Sequence, residues 1–425
     1  MKLKRMLAAL AALVLLFSLA AVSAAASEAD GEDETEEGSG EVSGVAVDPD
    51  YDWTRLAGQN ITLHVYNWGE YMSLGVDGEG MDVNAEFEAL TGIKVNYTVF
   101  DTNENMYAKL NSGGASYDII IPSDYMIGKM INEDMLLPLD FANIPNFKYT
   151  DPQYLGVDFD AANTYSVPYT WGYVGIIYNK TMVSTPPTSW AALWDKEHEK
   201  NILMFDNSRD AFAIALLKMG LSLNPSSTAE IDRAKSELLT QKDVVQAYVM
   251  DQIFDKMEGG EAALAPYYAG DAITMIDENP DLGFAIPSEG TNIFIDSMCI
   301  PKGAKNKEAA EMYINFLCEP QVAMENSLFI GYSTPNMVAA AEIQEEMDEE
   351  TLAIAYPDAA VLANMEAFNV LPEELNKYMD EAWAGMRSGS SAGLGWMIPV
   401  ALVIVVAIIV LIVWRGRVKK KKNDY

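Results

Sequence analysis

Between residues 58 and 386, apolar positions recur with two different periods, and their alternation predicts a series of strands and helices. In ITLHVY (61–66), Ile61, Leu63 and Val65 alternate with more polar residues, the two-residue period of a strand with one buried face. MDVNAEFEALTG (81–92) has the spacing of a helix stopped by Gly92. IKVNYTVF (93–100) reads as a second strand and NENMYAKLNSGG (103–114) as a short helix with a glycine stop. YDIIIPS (117–123) is a wholly apolar strand, followed by the helix DYMIGKMINEDM (124–135) with Asp124 as its cap. This β-α-β-α-β order favours a mostly parallel sheet with helices on both faces.

A second α/β set follows VPYTWGYVGIIYNK (167–180). KNILMFDNSRDAFAIALLKMG (200–220) gives strand, turn and helix, while EAALAPYYAGDAITMI (261–276) and LGFAIPS (282–288) read as further strand-like runs. TNIFIDSMCIP (291–301) is an apolar strand leading into the amphipathic helix NKEAAEMYINFLCE (306–319). Ligands bind such sheets beyond the carboxyl ends of the strands. Acids and rings gather at those ends: Trp68, Glu70 and Tyr71; Ser123 and Tyr125; Asp206, Asn207 and Asp210; Tyr267 and Tyr268; Phe294 and Asp296. Two α/β sets with rings and acids at facing edges imply a cleft.

Outside this body the pattern changes. Residues 1–26 run from basic through apolar to small residues, a secretory signal with an Ala-x-Ala exit and no cysteine near its end for lipid attachment. Residues 27–57 form an acidic, Gly/Ser-rich leader expected to be disordered. Residues 387–395 read as a linker, and WMIPVALVIVVAIIVLIVW (396–414) carries no charge. At about 1.5 Å per residue it matches a bilayer core, so one transmembrane helix is expected. The basic tail 415–425 belongs in the cytoplasm by the positive-inside rule. The body is therefore expected outside the cytoplasm, anchored in the cell membrane, in the periplasm or at the cell surface.

The net charge is −35, from 63 acidic and 28 basic residues, which argues against a nucleic-acid partner. The two cysteines, Cys299 and Cys318, lie in apolar runs and read as small core residues, with a single bridge as the alternative. His64 and His198 stand in unrelated places. No nucleophile elbow, zinc-protease helix or phosphate loop is present, and nothing picks out an acid and base pair for glycoside hydrolysis. The chain is expected to be no enzyme and to need no cofactor or metal.

Rings combined with carboxylates and few bases suit an organic cation. Ring faces hold the cation and its stem, and carboxylates accept charge-assisted hydrogen bonds from ammonium groups. A neutral sugar site also uses rings and acids, but several acids converging without arginine favour the cation.

YNWGEY, NENMYAKL, YDIIIPSDY, SVPYTWG, SWAALWD, DSMCIPKGAKNKEAAEMYINFL and IGYSTPN occur in this order. Over nearly all of residues 58–386 the chain resembles the spermidine/putrescine-binding proteins of polyamine ABC transporters. That resemblance implies a two-lobed α/β fold of the type II periplasmic-binding-protein class with a hinge. Lobe 1 would take about 58–170 and 294–340, and lobe 2 about 171–293 and 341–386, with crossovers near 168–174, 290–294 and 340. It implies capture of a polyamine and delivery to a permease driven by a cytoplasmic ATPase, with a polyamine sensor as the alternative.

Carried over by position, Trp68, Tyr71, Tyr125 and Tyr332 would sandwich the ligand, joined by Tyr268 and Phe294 where the family often has tryptophan. Ser123 and Glu70 would bind one amine end, Asp296 the central charge and Asp210 the other end. Asn207 stands where the family usually has aspartate, and Phe368 about where a glutamine would bond a terminal amine. The charge lost at Asn207 would favour a shorter diamine such as putrescine, unless Asp271, three residues past Tyr268, replaces it.

Overall fold

The computed structural model describes residues 44–76, 80–113 and 116–388. The expected signal segment, transmembrane helix and basic tail lie outside these residues, as does the leader before residue 44. Among the described residues no helix is long and apolar enough to cross a membrane.

β1 (Thr62–Trp68), β2 (Lys94–Phe100) and β3 (Ile119–Ile120) pair in parallel, with β1 in the middle. The two-residue period of these strands divides them between two cores. Leu63, Val65, Ile119 and Ile121 pack with Phe87, Tyr313 and Phe316 on one face, while Tyr66 and Ile120 pack on the other. Helix Val83–Thr91 ends at Gly92 in the left-handed conformation (φ 72°), and helix Asn103–Asn111 opens on Thr102, whose side chain accepts from the Asn105 amide. Thr102→Ala is expected to cost about 1 kcal/mol, read as an earlier midpoint in chemical denaturation. Helix Asp124–Asn132 begins one residue earlier than a cap at Asp124 would place it. Ser123 is its N-cap, and Asp124 is buried in the first turn with its carboxylate accepting from the Tyr125 amide at 2.6 Å.

β4 (Ser166–Asn179) is a continuous fourteen-residue strand, buried throughout. Ser166 to Tyr173 pair with β9 (Thr291–Cys299), whereas Val174 to Tyr178 pair with β7 (Leu264–Tyr268). β5 (Ile202–Phe205) lies between β6 (Val245–Val249) and β7, parallel to both. β8 (Leu282–Ala285) runs antiparallel beside β4, and the short β10 (Met365–Glu366) runs beside β9. The strand order is β2-β1-β3-β9-β4-β7-β5-β6. The sheet is thus mixed rather than mostly parallel. β4 leaves the first lobe and β9 returns to it, so two paired strands that cross in opposite senses are antiparallel by necessity. Gly172 and Gly175 flank the switch at Tyr173–Val174, because a Cβ at either would fall 2.9 Å from the ring of Phe294 or 2.2 Å from that of Phe284.

Three further expectations change. The run read as strand after Tyr268 is the helix Ala269–Glu278, whose Ala272, Ile273 and Met275 are buried. The leader is packed from residue 44 rather than disordered to 57. The amides of Gly44, Ala46 and Asp48 donate to Glu86, Gln321 and Glu319, and Val45, Trp53 and Leu56 join the first core. The segment carries enough apolar area to order itself once its partners, distant in sequence, are in place. The last helix, Glu373–Ser388, extends into the expected linker, and the Arg387 guanidinium bonds Asp206 at 3.0 Å over the ring of Tyr248. Cys299 and Cys318 are buried and free, in different cores.

Candidate functional site

Where β1 ends, Gly69 and Glu70 reverse the chain, Glu70 with a positive φ of 46°. The reversal leaves Glu70 exposed and turns Tyr71 inward, 3% exposed. Its hydroxyl shares a hydrogen bond with the Thr170 hydroxyl and donates to Asp296 Oδ2 at 2.9 Å. Trp68 stacks at a tilt on Phe100, with its indole N–H buried and without a partner among the described residues.

These residues line a narrow cavity of about 50 Å3 together with side chains from both lobes. Ser123, Tyr125, Asn207, Asp210, Tyr268, Phe294, Asp296 and Tyr332 all reach it, as the sequence leads one to expect, while Glu70 is not part of its wall. Asn103, Met250, Asp251 and Asn292 also line it without having been singled out in the sequence, and so do Tyr267, Asp271 and Phe368, which the sequence places near the site without a firm contact role. Asn292 was legible by alternation: in β9, positions 292, 294 and 296 share a face, and all three line the cavity. Asp251 follows β6, a strand that the apolar pattern does not reveal.

Several carboxylates in this region are held by tyrosine hydroxyls. Tyr71 donates to Asp296, Tyr268 to Asp210 Oδ2 at 2.9 Å, Tyr332 to Asp271 Oδ2 at 3.0 Å and Tyr125 to Glu104 Oε1 at 2.9 Å. Tyr267 serves Asp251 in the same way. Asp296 Oδ1 and Asn292 Oδ1 are buried acceptors with no partner among the described residues. Asp210 and Asp271 sit in first turns of helices, where the macrodipole favours an anion. Burial nevertheless prevails. It pushes Asp210 up to about 7, Asp296 up to about 6 and Asp271 well above the usual carboxylate range.

The rings meet edge to face. Tyr71 packs on Tyr332 at 4.6 Å, Tyr268 on Phe294 at 5.5 Å and Tyr125 on Phe368 at 5.6 Å. Arg209 is the cation nearby. Its guanidinium lies 4.9 Å from the Tyr125 ring centre and 4.4 Å from that of Phe368, and is not part of the cavity wall. Asn207 caps the helix Ser208–Lys218, its carboxamide oxygen accepting from the Arg209 and Asp210 amides at 2.9 and 3.4 Å. Ser123 bridges to Asp296 across the strand ends.

The arrangement is a ring-walled slot whose lining includes Asp210, Asp251, Asp271 and Asp296 and no lysine, arginine or histidine. It is built to attract positive charge and to pack an apolar stem.

The bacterial extracellular solute-binding protein family matches residues 83–357. The spermidine/putrescine-binding periplasmic protein of Escherichia coli is 37% identical over 336 residues, covering 78% of this chain and 93% of that protein. A solved Listeria monocytogenes protein assigned to a spermidine/putrescine ABC transporter has 39% identity and a TM-score of 0.71, covering 77% of this chain and 98% of its own. The substrate-binding protein PotD of a spermidine/putrescine ABC transporter from Streptococcus pneumoniae has 34% identity and a TM-score of 0.64, covering 77% and 99%.

Proposed function

The chain belongs to the bacterial extracellular solute-binding proteins, and from that premise we propose that it is the extracytoplasmic substrate-binding component of a polyamine ABC transporter. It captures spermidine or putrescine between its lobes and hands it to a membrane permease. The observation that carries this reading is the slot lined by four aspartates and several rings without one basic side chain. Ring faces contribute about 0.5–2 kcal/mol per cation contact. Hydrogen bonds from ammonium to carboxylate contribute about 1.5–3 kcal/mol each.

Trp68, Tyr71, Tyr125, Tyr268, Phe294 and Tyr332 pack the methylene chain. Asp296 takes the central charge, with Asp210 and Ser123 toward the two ends and Asn207 contributing its amide. Glu70 acts only through its field, since its side chain is outside the wall. β4 and β9 carry the opening and closing of the lobes, their ladder absorbing the rotation. The apolar stretch 396–414 tethers the receptor to the membrane, raising its effective concentration near the permease.

Calorimetric titration of residues 44–388, the packed body, tests the reading. Spermidine and putrescine are expected to give saturable heats, while 1,4-butanediol, which has the putrescine stem without its charges, gives none. Equal binding of the diol, or no saturation by either amine, would remove the cation from the account.

A further inference from the structure

We propose that Arg209 latches the closed slot. Its guanidinium reaches from the second lobe onto the face of Tyr125 of the first, and this contact sets how long a captured amine stays, not which amine is taken. The inference rests on the polyamine reading above. Arg209 lies between two slot residues, Asn207 and Asp210, in the first turn of the helix Ser208–Lys218, yet it is not part of the cavity wall. A base in a first turn opposes the macrodipole, so its own helix disfavours the charge there. The side chain is nevertheless 2% exposed, and its Nε and Nη1 have no hydrogen-bond partner among the described residues. Nη2 donates to Asn224 Oδ1 at 3.3 Å and to the Asn369 carbonyl at 3.1 Å.

What holds the buried cation is aromatic. The guanidinium carbon lies 4.4 Å from the ring centre of Phe368 and 4.9 Å from that of Tyr125. A flat, weakly hydrated guanidinium suits such a seat better than an ammonium does. In the proposed opening, Phe368 and the Nη2 acceptors move with Arg209, whereas Tyr125 leaves with the first lobe. Tyr125 is fixed there: its hydroxyl accepts from the Asn103 carboxamide at 3.1 Å and donates to Glu104 Oε1 at 2.9 Å. The ring therefore does not follow the arginine, and opening strips one aromatic face from a desolvated charge. An amine enters before this contact forms and leaves only after it breaks. The latch thus acts on the dissociation rate, and it acts alike on every amine because it touches none.

Dissociation of spermidine and of putrescine is followed at pH 8 by stopped-flow tryptophan fluorescence, with Trp68 in the cavity wall as reporter. The full chain in detergent micelles is compared with Arg209→Met and Arg209→Lys, each checked for folding by circular dichroism. Arg209→Lys keeps a cation but not the planar fork, which guards against misfolding of the neutral variant. Both variants are expected to release both amines about tenfold faster, which corresponds to about 1.4 kcal/mol, with association rates within about twofold of wild type. In a Tyr125→Leu background, where the partner ring is gone, Arg209→Met should add no further acceleration. Unchanged dissociation in a folded variant, or an effect on one amine alone, overturns the latch while leaving polyamine binding intact. So does a tenfold effect that persists without the Tyr125 ring, since Arg209 then only braces its own lobe. A wild type that binds neither amine overturns the polyamine reading itself, and the latch with it.

Discussion

Asp296→Ala is expected to weaken polyamine binding by at least tenfold. The carboxylate is 4% exposed, at the centre of the slot between the lobes. One oxygen accepts from Tyr71, and the other is a buried acceptor without a partner among the described residues, the position an ammonium fills in the proposed complex. Removing the acid leaves that ammonium desolvated and unpaired, which costs about 3–5 kcal/mol for a fully buried pair. Tenfold, about 1.4 kcal/mol, is therefore the floor. Asp296→Asn keeps the shape and the Tyr71 contact and should fall in the same direction, which separates charge from packing. Calorimetry on both variants decides. Wild-type affinity in either would take Asp296 out of the binding site.

The second large effect is a loss of affinity on acidification. An ammonium requires an ionised carboxylate, but burial raises Asp210 to about 7 and Asp296 to about 6 in the ligand-free protein. At pH 8 both are ionised. At pH 5 each must lose a proton before it can pair, at about 1.4 kcal/mol per unit below its pKa. Two units at one site and one at the other give a weakening of up to about a thousandfold between pH 8 and pH 5. The stability of the free protein runs the other way. The folded values lie above the unfolded 3.8, so this contribution is fully present below about 4 and lost as pH rises toward 7. The shift in melting temperature caused by spermidine should therefore grow from pH 5 to pH 8. A flat affinity over that range would show that neither aspartate exchanges a proton on binding.

Trp68 and Tyr71 were legible because the period of β1 marks where the strand stops, and residues beyond that point face the cleft. Asp296 was legible in the same way. What escaped depends on neighbours remote in sequence. Glu70 has a residue type that rarely takes a positive φ, so nothing local signals the reversal that turns it outward. AGDAITMI has the apolar, β-branched look of a strand, yet its burial against β4 and β8 selects the helix. Val45 and Trp53 sit beside an acidic tract, and the core they join draws part of its wall from residues more than 250 positions away, such as Phe316 against Trp53. The direction of β9 followed from the crossing rather than from any pattern within it.

The packing of the body's two ends has a mechanical consequence. Residues 44–48 are bound to Glu86, Gln321 and Glu319 of the first lobe, and Arg387 is bound to Asp206 and Tyr248 of the second. The ends of the body thus ride on opposite jaws. A pair of fluorescent labels on them is a gauge of gape that touches no amine-contacting group. With the tail fixed to a surface, the proposed closure swings the jaw that holds residue 44.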